Sequence, residues 1–267
     1  MDWIRDCFPG ALLRVPRERY ARIRHPLRPG LWAERLRPEL LFLDLETLGF
    51  LGHPVFLIGC LRRCPGGTAG WEVLQLFARD YTEEEAILRA FAGVAAPCSV
   101  WVSFNGKSFD VPFLRARAAY YGRRLPNPGE HRDLLHGARR VYRKVLPNCR
   151  LQTLESALFG RYRFRDLAGG EIPAAYHTYV RCGNPEQLER ILAHNRDDLV
   201  SLARLWDHLE HGDGIAMNGA PEAPGGRAPE HAGDRSLEPP GYGAGVGERL
   251  PVLFDREKVR SALGEMP

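Results

Sequence analysis

The 267 residues carry 44% hydrophobic and 26% charged side chains, enough for one sizeable core and an appendage. No apolar run approaches the roughly 20 residues of a membrane span, and Met1 to Arg5 lacks the basic-then-apolar layout of a signal peptide; a soluble globular protein with a cytoplasmic home is expected. The six cysteines are scattered, and Cys60 and Cys64 have no second pair to complete a zinc site; they read as reduced thiols, and a net charge of +4 permits a polyanionic partner without demanding one.

Residues 1–38 are arginine-rich and punctuated by Pro9, Pro16, Pro26, Pro29 and Pro38, which suits an extended basic arm laid over a domain. Such an arm touches phosphates or is merely solvated; charge alone does not choose. Leu40 to Thr47 (LLFLDLET) is then a large apolar run with two acids two positions apart. The strand period places Asp44 and Glu46 on one face, where two carboxylates repel each other and lose solvation unless something positive joins them. A divalent metal meets that need, and so does an arginine for each acid, or a turn at Leu48-Gly49 capped by Glu46.

Pro54 to Leu61 and Trp71 to Phe77 read as two further strands joined across Pro65-Gly66-Gly67, giving a three-stranded meander. Thr82-Glu83-Glu84-Glu85 has the form of a capping box, followed by Ala86, Ile87, Ala90, Phe91 and Val94 at helical spacing. A helix there crosses the sheet and returns the chain as a fourth strand, Ser99 to Phe104, beside the first. Asn105 to Leu114 is a glycine turn opening into a helix, with Asp110 at its positive end; capping by Asp110 or by Ser108 competes there with a ligand role. His131 to Leu135 is a candidate fifth strand.

Between Arg139 and Arg165 eight cations, with Tyr142 and Tyr162 among them, surround a short helix from Leu151 to Phe159. Basic residues interleaved with aromatics suit a groove that tracks a nucleic-acid strand, and equally a solvated face. The last long helix opens at Asn184-Pro185 and runs to about His211 on a stripe of Leu188, Ile191, Leu192, Leu199, Leu202, Leu205, Trp206 and Leu209. One turn of that stripe is polar, holding His194, Asn195 and Asp198, and three polar groups facing a core need a shared reason. Residues 212–267 turn to Gly, Pro, Ala and Glu, too poor in apolar residues to fold alone, and are expected to be a disordered tail.

Asp44, Glu46, Asp110 and Asp198, in that order, resemble the DEDD superfamily of 3′-5′ exonucleases on the RNase H-like fold. The carriers are DLET (Asp44 to Thr47), Asn-x-x-x-Phe-Asp (Asn105 to Asp110) and His-Asn-x-x-Asp (His194 to Asp198). FNGKSFDVPFLRAR, HRDLLH, LQTLESALFG, Glu171-Ile172-Pro173 with Tyr176, and HNRDDLVSLARL narrow the resemblance to the YprB-type exonuclease-like domain, over roughly residues 40–209. The resemblance implies an α/β fold with a mixed five-stranded sheet flanked by helices, a domain over residues 39–211, and a nucleic-acid (DNA or RNA) 3′ end as partner; no membrane is expected from the hydropathy, and no partner protein is assigned. It implies two Mg²⁺ or Mn²⁺ ions, bridged by Asp44, with Glu46 and Asp198 on the one activating water and Asp110 acting on the other through water. It also places Thr47, Leu48, Asn105 and Phe109 against the terminal nucleotide. In the superfamily the third motif carries a Tyr four residues before its Asp or a His five before; here His194 stands in the tyrosine slot, as a candidate general base. The alternative within the same fold is a nucleic-acid-binding module with weak or no turnover.

Overall fold

A computed structural model describes residues 12–14, 20–28, 32–65, 70–163 and 166–211. Among these residues seven strands form one sheet: β1 (Leu12–Arg14), β2 (Ala21–Pro26), β3 (Leu40–Thr47), β4 (Val55–Arg63), β5 (Trp71–Phe77), β6 (Val100–Ser103) and β7 (Glu130–Asp133). Their spatial order is β1-β2-β5-β4-β3-β6-β7. Pairing is antiparallel from β1 across to β3 and parallel from β3 through β6 to β7. Strands β3 to β7 are the five expected from sequence. The helix between β5 and β6, α1 (Glu84–Ala95), delivers β6 beside β3 as a crossover should.

The two additional strands come from the stretch expected to lie over the domain as an arm. Ala21, Ile23 and His25 are buried while Arg22, Arg24 and Pro26 are half-buried, a two-residue period obscured because arginines occupy the outer positions. Arg24 ion-pairs with the buried Glu72 at 2.5 Å, and Arg62 meets the same carboxylate at 3.1 Å. Cations read as free for phosphate are thus partly consumed inside the sheet. The expected capping box is also replaced. Asp80 accepts the Thr82 N–H at 2.8 Å, while Glu83 pairs with Arg79 and Glu84 with Arg117, both at 2.5 Å. The hairpin tip 66–69 and the expected tail 212–267 lie outside the described residues.

Helices cover both faces of the sheet. The odd residues of β3, Leu41, Leu43 and Leu45, pack in a core with α1, α2 (Asp110–Tyr120) and α5 (Ile172–Cys182). The even residues Leu40 and Phe42 pack in a second core with α3 (Leu134–Tyr142) and α4 (Leu151–Phe159). The long helix α6 (Pro185–His211), opened by Asn184 accepting the Glu186 N–H at 2.9 Å, joins the two. Its Leu188, Ile191 and Leu192 belong to the first core; Leu199, Leu202, Leu205 and Trp206 belong to the second. The polar turn between them is where α6 passes from one core to the other.

Candidate active site

Asp44 and Glu46 continue the even face of β3 beyond Phe42, on the side that the second half of α6 covers. Across the sheet, Asp44 stands opposite Gly59 of β4, which stands opposite Gln75 of β5. Gly59 has a steric reason: a Cβ there would lie 2.2 Å from Asn195 Oδ1. With no side chain in the way, α6 settles on the sheet, and Asn195 Nδ2 donates to Asp44 Oδ2 at 2.8 Å and to the Asp44 carbonyl at 3.3 Å.

Asp110 is the first residue of α2 and is buried, with its carboxylate against Gly106. Backbone hydrogen bonds from its own N–H and from Leu45 tie it to β3. The helix cap expected of Asp110 or Ser108 is absent, since Phe109 is the capping position and makes no side-chain bond. Asp133 holds this turn instead. Its carboxylate accepts the N–H groups of Asn105 at 2.8 Å, Lys107 at 3.1 Å and Leu135 at 3.1 Å, joining the second motif to the start of α3.

Charge is unbalanced at this end of β3. Burial first, then Asp198, Glu46 and Asp110, push the Asp44 carboxyl well above its ordinary range, against the hydrogen bond from Asn195. Burial pushes Glu46 up to about 8, with His194 opposing and Asp198 and Asp110 adding. Burial raises Asp110 to about 7, with its backbone hydrogen bonds opposing and Asp133 and Asp198 adding. Among the described residues none of Asp44, Glu46 and Asp110 has an ion pair with Arg or Lys. Buried hard oxygen donors that raise one another's pKa fit divalent cations of the Mg²⁺ or Mn²⁺ kind. As the side chains stand, no three His, Cys, Asp or Glu among the described residues converge on one ion position.

Asp198 is on the boundary of that set. It contributes to the raised pKa of all three other acids, yet Arg163 Nη2 lies 2.6 Å from its Oδ1. Its neighbour Asp197 turns away, to Arg161 at 2.6 Å and Arg196 at 2.9 Å. His194 Nε2 stands 3.5 Å from Asp198 Oδ2, while Nδ1 is hydrogen-bonded to Asp166 at 2.8 Å. Burial disfavours charge on this imidazole, but Asp166, Asp198 and Glu46 outweigh it and lift its pKa to about 9. Burial also works against charge on Asp166, yet His194 and Arg163 hold that carboxyl below its ordinary range.

Asp44, Glu46, Asp110, His194 and Asp198 are therefore brought together. Thr47 and Leu48 follow at the end of β3, where Thr47 Oγ1 donates to the Gly49 carbonyl at 3.0 Å and Leu48 packs half-buried on the first core. Asn105 is exposed in a left-handed conformation, φ 66°, and Phe109 is exposed beside Phe113 with ring centres 5.2 Å apart. The basic run does not behave as one groove: Arg161 and Arg163 turn inward after α4 ends at the left-handed Gly160, and both pair with Glu155. Sequence reasoning missed Asp133, Glu155 and Asp166, and took Arg163 only as part of the basic run. Asp133 carried a signal, an Asp immediately before an apolar helical run; Asp166 carried none, because no local pattern marks an acid that joins Arg163, three residues before it, to His194, 28 residues after it.

The RNase H superfamily family description matches residues 41–210. The chain is 33% identical over 176 residues to the uncharacterized protein YprB of Bacillus subtilis (strain 168), covering 64% of this chain and 42% of that protein. Its fold is similar to that of a family B DNA polymerase from the hyperthermophilic archaeon Pyrobaculum calidifontis, with a TM-score of 0.51 and 17% identity over 64% of this chain and 24% of the polymerase. The chain thus spans less than half the length of either protein. Among the described residues no helix is long and apolar enough to cross a membrane.

Proposed function

This chain belongs to the RNase H superfamily, whose nuclease domains act on nucleic acid with divalent metal ions, and on that footing we propose that it is a 3′-5′ exonuclease using two Mg²⁺ or Mn²⁺ ions. The observation that carries the reading is the group of half-buried Asp44 with buried Glu46 and Asp110, driven up in pKa with no Arg or Lys ion pair among the described residues. Asp44, Glu46, Asp110 and Asp198 would hold the ions. When bound, these supply Lewis acidity to the attacking water and to the leaving 3′-oxygen.

The remaining work falls to the chain's own residues. Asn195 fixes one oxygen of Asp44, and Asp133 fixes the turn that presents Asn105 and Phe109. Phe109 offers an exposed aromatic face and Leu48 an apolar one, both suited to a terminal nucleotide. His194 acts as a base only as the neutral imidazole, and neutralising Glu46 and Asp198 would remove two of the charges that hold its proton. The catalytic unit proposed spans residues 39–211 together with β2.

The alternative, a nucleic-acid-binding module with weak or no turnover, is favoured by one feature: Arg163 already stands on Asp198. DNA and RNA oligonucleotides labelled at the 3′ or the 5′ end, incubated with and without Mn²⁺, separate the two. An exonuclease releases 3′ label first as mononucleotide, only with metal, and leaves a shrinking ladder from the 5′-labelled strand. Binding without shortening under saturating Mn²⁺ selects the module.

A further inference from the structure

Behind Asp44 runs a chain of buried amides that ends three strands away. Gln75, Asn195 and His25 are 0%, 0% and 3% exposed, so each polar atom must find its partner inside the protein. His25 Nε2 donates to Gln75 Oε1 at 3.0 Å. Gln75 Nε2 then donates to Asn195 Oδ1 at 3.0 Å and to the Leu192 carbonyl at 2.8 Å. Asn195 Nδ2 donates to Asp44 Oδ2 at 2.8 Å.

Each link fixes the direction of the next. A primary carboxamide is nearly symmetric in shape, so packing alone leaves Asn195 free to present either its oxygen or its nitrogen to Asp44. Gln75 removes that choice by offering one N–H to the Asn195 oxygen. The carbonyl of Leu192 and the N–H of His25 in turn settle the orientation of Gln75. His25 stays a neutral donor, because burial and then the charge of Arg196 bring its pKa down to about 4. The space for this chain is provided by Gly59, which holds Asn195 within the footprint a Cβ would need.

We infer that Gln75 and His25 are positioning residues for metal binding: through Asn195 they aim one oxygen of Asp44 and so set the affinity of the site for its cation. This gives strand β2 a part in the site, although it begins outside the matched segment 41–210. The inference rests on the reading of Asp44 as a metal ligand.

Two substitutions test it. Gln75→Leu removes both links, and Gln75→Glu keeps the shape but as the carboxylate can only accept, so that above its pKa Asn195 must turn its nitrogen toward position 75 and its oxygen toward Asp44. Mn²⁺ affinity of the full chain, measured by titration calorimetry on protein whose melting is still cooperative, should fall roughly 10- to 100-fold in both. Wild-type affinity in either variant, with or without a lowered melting temperature, would mean that Gln75 only packs and would overturn the inference. Absence of Mn²⁺ binding by the wild-type protein would instead remove the functional reading itself, and this inference with it. Should neither variant fold, the side-chain amide resonances of Asn195 in the wild-type protein carry the test: they should shift on Mg²⁺ saturation, and resonances that do not move refute the relay.

Discussion

Two groups of acids adjoin in this protein and meet opposite electrostatic fates. Glu155, Asp166 and Asp197 are matched by Arg161, Arg163, Arg196 and His194 at 2.6 to 3.1 Å or closer, and Asp166 is held below its ordinary pKa. Asp44, Glu46 and Asp110 have no such match among the described residues and are pushed up. Residue type is shared and burial raises both groups, so the sign of the difference comes from the cations, Arg161 and Arg163 after α4 with Arg196 and His194 on α6. Paired acids fasten the loop after α4 to α6, whereas unpaired acids carry an unmet demand for positive charge that an external cation can satisfy. Asp198 takes part in both groups, which makes it the place where a bound ion and Arg163 compete.

The largest expected effect separates the groups by stability. Arg163→Met removes one partner from each of Glu155, Asp166 and Asp198 and should cost about 3 kcal/mol in urea unfolding, because three acids lose part of their compensation at once. Glu155→Gln should act in the same direction through Arg161 and Arg163. Glu46→Gln should leave the metal-free protein as stable as before or more so, since it deletes a charge that the fold penalises. Equal destabilisation by Glu155→Gln and Glu46→Gln would erase the distinction.

A smaller effect is the pH dependence. Folding raises Glu46 from 4.5 to about 8, Asp110 from 3.8 to about 7 and His194 from 6.5 to about 9. A group whose folded pKa is raised contributes stability that is fully present below its unfolded value and is lost as pH passes the folded value. All three therefore lower the stability of the metal-free protein as pH climbs from about 4 to 9. Saturating Mn²⁺ binds the deprotonated acids, so its gain in melting temperature should be larger at pH 8 than at pH 6. A melting temperature that rises with pH in the absence of metal would contradict the assignment.

The smallest effect on folding belongs to the other half of the basic run. Arg139, Arg140, Arg143 and Lys144 are exposed, and none has an ion pair among the described residues. Replacing all four with Gln should change unfolding by no more than roughly 0.5 kcal/mol per site. If they track a single strand, the salt dependence of oligonucleotide binding should flatten by about 0.7 in log-log slope for each phosphate that is no longer neutralised. An unchanged slope would leave them as a solvated face.

The sequence carries the unpaired group more openly than the paired one. Asp44 and Glu46 are legible because strand alternation puts both on one face, and Asp198 because it interrupts a helical stripe. Asp110 is legible as an acid at a helix start, although its carboxylate accepts from its own N–H and from that of Leu45 and does not cap the helix from outside. The paired group depends on contacts such as His194 with Asp166, 28 positions apart, which no local period encodes. Strand β2 is hidden for a different reason: its outer positions are arginines that resemble an arm, and only the fold brings Glu72 to Arg24. Arg161 and Arg163 group with their exposed neighbours in the sequence because composition does not distinguish a cation facing solvent from one turned onto buried acids.

The central claim, that the unpaired acids hold catalytic metal, is met most directly by comparing Asp44→Asn with wild type on one 3′-labelled oligonucleotide at saturating Mn²⁺. Both proteins should melt cooperatively, the variant at or above the wild-type temperature, because a destabilising buried charge has been removed while shape is kept. Wild type should release the 3′ label and Asp44→Asn should fall to the metal-free background. Release by Asp44→Asn at the wild-type rate would contradict the claim and place the metal site elsewhere.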